Sequence, residues 1–309
     1  MKDIPVFVFH KGNPIYLKTV IKCATRFNNS VILAGDASNS TVCENWFNCE
    51  EYIPDLYSDF LDNFEQMSTY SYDFDTICFK RFFIMHEYML RNQIDEIVFL
   101  DSDALLYVDV TEFFHRHECG AALSMTDYQD NFRWSYCAHC SYWKREALLN
   151  FLHFVIEVYR IKNQYYQQLV AKWDYHKKNR IKGGVCDMTL LYLWANQRND
   201  VFNTCKVMEY SVFDNNIGSS NNYVFDEYEF SRILGIKKLK YNEGIPYLKL
   251  KTGELVKANV LHCSGMAKAL INNIYKQNFA FAVKNRIVDV IIRVIRKVIV
   301  NRKKNFSRK

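Results

Sequence analysis

Three short apolar runs constrain this chain more than any other feature: "VFVF" at residues 6 to 9, "VILAG" at 31 to 35 and "IVFL" at 97 to 100. The third, β-branched and large in its apolar side chains, predicts a strand buried on both faces; the first, which alternates weakly, and the second predict strands as well. Between the first two, "PIYLKTVIKCATRF" sets Leu17, Val20, Ile21 and Ala24 at helical spacing, and "TICFKRFFIMHEYMLRNQ" predicts a second helix feeding the third run. Strand, helix, strand in this order predicts an α/β fold with a parallel sheet and right-handed crossovers. A ligand of such a sheet lies beyond the carboxyl ends of its strands. His10, Asp36 and the pair Asp101 and Asp103 stand there.

Two carboxylates directly after a buried strand repel each other and resist burial, and a divalent cation between them removes both penalties. An ordinary strand-to-turn exit is the plainer alternative for "LDSDA" taken alone. Further on, "AALSMTD" predicts a strand, residues 144 to 173 one long helical stretch, and "CDMTLLYLWANQ" a helix beginning near Asp187. "LKLKTGELVKANVLHCSG" predicts a hairpin turning at Thr252 and Gly253, then a strand ending at His262, which places a metal-capable ring at its tip. "CAHC", residues 137 to 140, lacks the second close Cys/His pair of a structural zinc site, and the following "SYWKREALLNF" is expected to be an acceptor-side loop entering a helix.

With 309 residues, 49% of them hydrophobic, the chain can bury a sizeable core. Ten scattered cysteines do not resemble the framework of a small secreted domain and are expected to stay thiols. The first residues do not have signal-peptide form and no apolar run is long enough to span a bilayer, which predicts a cytoplasmic protein. The net charge of +6 is uneven: residues 284 to 309 hold ten Lys or Arg against Asp289 alone, leaving about −3 for the rest and no case for a nucleic-acid partner. In that segment Ile287, Ile291, Val294 and Val298 fall on one helical face, with Arg286, Arg293 and Arg296 displaced from it. A C-terminal basic amphipathic helix of this kind suits peripheral attachment to an anionic membrane surface, here the cytoplasmic face; a terminal helix docked on the core is the alternative.

Asp101-Ser102-Asp103 after two apolar strand positions, with an Arg-bearing aromatic helix about twenty residues upstream, resembles the nucleotide-sugar glycosyltransferases of the GT-A fold. "LHCSGMAK" is similar to the His-x-x-Gly-x-x-Lys segment of the glycogenin-like transferases, glycosyltransferase family 8, through His262, Gly265 and Lys268; Ala269 and Leu270 follow where that family continues Pro-Trp. The resemblance covers roughly residues 4 to 270. It implies a Rossmann-like, mixed and mainly parallel sheet flanked by helices, with residues 1 to 270 as the transferase domain (about 1 to 125 the nucleotide-binding half, 126 to 270 the acceptor-side half) and 271 to 309 as the tail. It also implies a nucleotide-sugar donor, of which a UDP-sugar is the expected form, a glycan or lipid-linked acceptor in cell-surface polysaccharide synthesis, and retention of anomeric configuration.

In that frame Asp101, Asp103 and His262 are the expected ligands of Mn²⁺ or Mg²⁺, an oxygen-rich set with one nitrogen. Lys268 adds a point charge on the leaving diphosphate. Arg81 is expected to reach the diphosphate or the ribose, Asp36 the base or ribose, and His10 and Ser102 to line the same pocket. Asp187 and Asp127 are the candidate catalytic carboxylates, one of them the base on the acceptor hydroxyl were the enzyme inverting, although Asp187 could simply cap the helix it begins. Two other readings stay open: a phosphohydrolase of the haloacid dehalogenase type, which wants its Asp-x-Asp on the first strand, and a non-catalytic membrane-docked sugar-nucleotide binder.

Overall fold

The computed structural model describes residues 2–126 and 132–280; Asp127 and the basic segment of residues 284 to 309 lie outside them. In chain order run β1 (Val6–Phe9), α1 (Leu17–Thr25), β2 (Val31–Gly35), β3 (Asn45–Asn48), α2 (Asp55–Asn63), α3 (Tyr72–Arg91), β4 (Glu96–Asp101), β5 (Ala104–Leu106), α4 (Val110–Phe114), β6 (Ala121–Met125) and β7 (Tyr136–Lys144). There follow α5 (Arg145–Ile161), α6 (Gln164–Asn179), α7 (Asp187–Ala195), β8 (Val201–Asn203), β9 (Ser211–Asp214), β10 (Phe230–Ser231), β11 (Ile236–Lys237), β12 (Leu239–Asn242), β13 (Ile245–Lys249), β14 (Leu255–His262) and α8 (Ile271–Tyr275).

The central sheet has the order β3-β2-β1-β4-β7-β6-β8. All of its strands share one direction except β7, which runs antiparallel to both β4 and β6. Helices flank it, so the fold is mixed α/β with a mainly parallel sheet. Both faces are buried: Val6 and Val8 of β1 join one apolar cluster with α1, while Phe7 and Phe9 join another with the aromatic face of α3. That two-sided burial is why these strands read as continuous apolar runs.

A second sheet, β12-β13-β14-β5, has β9 alongside β14. The chain passes from the first sheet to the second within three residues: β4 ends at Asp101, and β5, beginning at Ala104, pairs antiparallel with the end of β14. Asp101, Ser102 and Asp103 make that crossing. Helix α8 closes the compact body, with Ile271 and Ile274 fully buried and Asn272 accepting a 2.5 Å hydrogen bond from Thr19 of α1.

Two expectations need correcting. The "SYWK" segment is no loop; with "YCAHC" it forms β7, nine residues long, in the middle of the sheet. Its Cys, His and Ser hide a strand whose two faces are both covered. The stretch of residues 144 to 173 is two helices, because Lys162 turns left-handed at φ 53° and Asn163 caps α6 by accepting from Tyr165 N and Tyr166 N.

Candidate active site

The pairing of β5 with β14 sets Ala104 opposite His262. The Asp103 carbonyl also accepts from Cys263 N at 2.9 Å. Backbone register therefore brings a histidine late in the chain against the aspartate pair. His262 Nε2 stands 3.4 Å from Asp103 Oδ1 and 3.8 Å from Asp101 Oδ2. On the far side of the ring, Nδ1 donates to the Asn215 carbonyl at 2.6 Å. With Nδ1 held by that carbonyl, Nε2 faces the two carboxylates; burial works against the charged ring, but the hydrogen bond and charge of Asp103, with Asp101, raise the His262 pKa, so Nε2 carries a proton that a bound cation would displace.

Asn215 follows β9, which is anchored from below. Asp214 forms a fully buried ion pair with Lys237, whose ammonium also donates to the Asn216 carbonyl at 3.0 Å and lies 4.6 Å from the Tyr228 ring. The other face of His262 is covered by His139 of β7, stacked at 4.7 Å and 5°. Burial, with His262 adjoining, holds His139 well below its ordinary value, so it is a neutral ring wall.

Each aspartate also meets a cationic side chain. Asp103 Oδ2 is 3.1 Å from Lys268 Nζ, and Asp101 Oδ1 accepts from Arg81 Nη1 at 2.6 Å. The guanidinium, on α3, is only 13% exposed in its side chain and lies 4.9 and 4.8 Å from the Phe82 and Phe99 rings; its other arm binds Asp187. Lys80, the neighbouring base, is over the Tyr57 ring instead. Asp187 is in the first turn of α7, 3% exposed, behind a capping box of Cys186 and Thr189. Gly184 brings that segment in: at φ +147° an added Cβ would come 2.3 Å from the Met67 carbonyl oxygen.

The electrostatics follow from burial and pairing. Burial pushes the Asp101 carboxyl up against the pull of Arg81, with Asp103 pushing the same way. Burial opposes Asp103 too, but the hydrogen bond and charge of His262 and the charge of Lys268 hold it well below the usual carboxylate range. Asp101, Asp103 and Asp187 face two permanent cations, Arg81 and Lys268, so the cluster is left with about one excess negative charge when His262 is neutral.

The donor chemistry fits a divalent cation. One ligand atom each from Asp101, Asp103 and His262 lie within 4.8 Å of one another, and His262 Nε2, the ring nitrogen facing the carboxylates, would offer its lone pair on losing its proton to the cation. Cys137, His139 and His262 form a second such group, but burial pushes the Cys137 thiol far up, away from thiolate.

The remaining predicted residues are arranged around this cluster. His10 Nδ1 is 2.8 Å from Ser102 Oγ, which ties the tip of β1 to the crossing, and burial followed by Lys268 lowers its pKa. Asp36 has both oxygens engaged, Oδ2 with Gly12 N at 2.6 Å and Oδ1 with Ser38 N at 2.9 Å. Asp127 lies outside the described residues. Sequence reasoning missed Asn215, whose contribution is a backbone carbonyl, and His139, for which the alternate positions of "CAHC" were the available signal.

No protein-family model and no curated protein matches the sequence. Solved structures do. The apo form of mouse xyloside xylosyltransferase 1 aligns over 65% of this chain and 84% of its own, at 14% identity and a TM-score of 0.39. The galactosyltransferase LgtC, with donor and acceptor sugar analogues, aligns over 65% and 73%, at 12% identity and a TM-score of 0.34. The bifunctional glycosyltransferase WbbM, in its apo form, covers 92% of this chain and 51% of its own, at 13% identity and a TM-score of 0.43. All three are glycosyltransferases.

Proposed function

We propose that the chain is a metal-dependent glycosyltransferase that moves a sugar from a nucleotide-sugar donor, a UDP-sugar in the first instance, to a glycan or lipid-linked acceptor. The observation carrying this reading is the convergence of Asp101, Asp103 and His262 Nε2 at the carboxyl end of the parallel strands, with Lys268 beside them. Asp101, Asp103 and His262 would hold Mn²⁺ or Mg²⁺, which when bound supplies positive charge against a departing diphosphate. Lys268 adds its own charge to the same leaving group. Arg81 and Asp187 keep Asp101 in place: the guanidinium is engaged by two carboxylates, so its part is to orient one of them.

Asp187 is buried and bound to Arg81, which makes it a poor base for an acceptor hydroxyl. The leaving phosphate then takes the acceptor's proton on the face it departs from, which gives retention of anomeric configuration. A phosphohydrolase of the haloacid dehalogenase type is less favoured, since Asp101 ends the fourth strand in chain order and the His262 to Lys268 arrangement would have no role.

The test is calorimetric titration of UDP with and without Mn²⁺. UDP should bind at least ten times more tightly with the metal, and Asp103→Asn should lower metal affinity by about a hundredfold or more, given that even outer partners of metal ligands cost 10–100-fold. Equal UDP binding in chelator would overturn the metal reading. We place the enzyme at the cytoplasmic membrane face in cell-surface polysaccharide synthesis, on the charge of residues 284 to 309. Flotation with anionic vesicles at low and high salt, for the chain with and without residues 283 to 309, tests this; equal flotation of both would refute it.

A further inference from the structure

Next to the metal-ligating corner, a cleft of about 500 Å³ opens between α6, residues 132 to 135 and the start of α7. Its walls are aromatic. Trp134 is stacked on Tyr192 at 5.7 Å and 5°, and Phe132 packs against Trp134 and Tyr175 at 5.0 and 5.1 Å. Flat, fixed rings of this kind suit the apolar face of a pyranose, and the volume suits one or two sugar rings.

Its charge has one sign. Lys172, Lys182 and Arg133 line the cleft, and no Asp or Glu is among its described lining residues. Lys172 is the informative one. It is 5% exposed, its Nζ donates to the Trp134 carbonyl at 3.0 Å and to Thr189 Oγ1 at 2.9 Å, and no carboxylate of a described residue is within ion-pair distance. An ammonium has three donors, of which these contacts use two. Tying Trp134 to Thr189 needs only a neutral donor, whereas a buried cation without a counter-charge costs stability. Burial lowers the Lys172 pKa to about 8, so the group is still largely charged at neutral pH. The N-terminus of α7, beside Cys186 and Thr189, adds positive potential. The same turn supplies Asp187, the partner of Arg81, so the cleft adjoins the proposed reaction centre.

We infer that this cleft seats the sugar acceptor and that Lys172 recognises an acidic group on it, a carboxylate or a phosphate ester. Calling the occupant an acceptor rests on the glycosyltransferase reading; the capture of an anionic sugar does not. Neutral sugars then lose the charge-assisted contact with Lys172.

Calorimetric titration of the full chain in chelator, without donor, tests this with glucuronate, glucose 6-phosphate, glucose, acetate and inorganic phosphate. One of the two anionic sugars should bind about ten times more tightly than glucose and more tightly than either simple anion; which of them does so separates carboxylate from phosphate. Lys172→Met should reduce that affinity about tenfold, towards the glucose value. Should Lys172→Met fail to fold by circular dichroism, Lys182→Glu on the exposed wall takes its place and should weaken binding several-fold. Anionic sugars bound no better than glucose, or bound equally well by the folded variant, would overturn the proposal. UDP binding with Mn²⁺, measured on the same protein, reports on the transferase reading separately, so either can fail alone.

Discussion

Removing Arg81 would leave the carboxylates of Asp101 and Asp187 without the guanidinium that joins them. In Arg81→Met the aliphatic bulk over Phe82 and Phe99 is largely kept, so the change isolates the charge. The Asp187 side chain, 4% exposed, loses its ion-pair partner; Asp101, at 22%, keeps some solvent and the neighbouring His262. Breaking a buried pair by deleting one partner typically costs about 3–5 kcal/mol, and Asp187 accounts for most of that here. Against a total stability of about 5–15 kcal/mol this is a large fraction. Urea unfolding at pH 7, followed by tryptophan fluorescence, should show the midpoint falling accordingly. Arg81→Lys should fall between wild type and Arg81→Met, because one ammonium cannot fork to both carboxylates. Arg81→Met combined with Asp187→Asn should recover at least half of the loss, since the stranded charge is gone. A loss below about 1 kcal/mol in Arg81→Met, or a double variant no more stable than the single, would refute the view that this guanidinium organises the site.

The buried pair under β9 gives a parallel case: Lys237→Met should cost about 3–5 kcal/mol in the same assay and Asp214→Asn should partly rescue it, whereas additive losses would mean that the two are not coupled. Lys172 gives a pH signature. Its folded pKa of about 8 lies below the ordinary 10.5 of the unfolded chain, so between these values the unfolded state binds more protons and stability rises with pH, by roughly 3 kcal/mol across the window. Nearby His176 is lowered from 6.5 and titrates beneath that window, while Cys186, pushed by burial from 9.0 to about 11, subtracts stability as pH rises above 9 in wild type and variant alike and so drops out of their difference. Urea unfolding of wild type and Lys172→Met from pH 7.5 to 10.5 should show the extra rise in wild type only; parallel profiles would contradict it.

Much of the architecture of the first hundred residues can be read from the chain, because β1, β2 and β4 are buried on both faces and α1 carries its apolar residues at helical spacing. β7 could not be read the same way. Double burial removes the polar–apolar alternation, and Cys137, His139 and Ser141 replace the aliphatic residues that otherwise mark such a strand. At the site, Asp101, Asp103, His262 and Lys268 stand out by residue type and spacing, but the β5–β14 register that joins them is a long-range fact with no local signature. The fork of Arg81 to Asp187 spans 106 residues, and the Asn215 carbonyl belongs to a group that every residue has. Lys172, in "LVAKW", looks like an exposed helix lysine until α6 is folded against α7 and residues 132 to 135.

The crossing from β4 to β5 also bears on how the molecule assembles. Ala104 and His262 are neighbours across strands yet about 160 residues apart along the chain, and closing a loop of that length costs on the order of 4 kcal/mol of chain entropy before any contact offsets it. During synthesis the aspartate pair leaves the ribosome long before β14 does, so a nascent chain holds two of the three proposed cation ligands for about ten seconds or more at ordinary elongation rates. The proposed ion would thus be captured only once the last strand of the second sheet is in place. Such high contact order marks a slow folding step, and a divalent cation that binds only the finished corner pulls that step forward by mass action. Refolding yield should therefore depend on cation concentration even where no sugar is present.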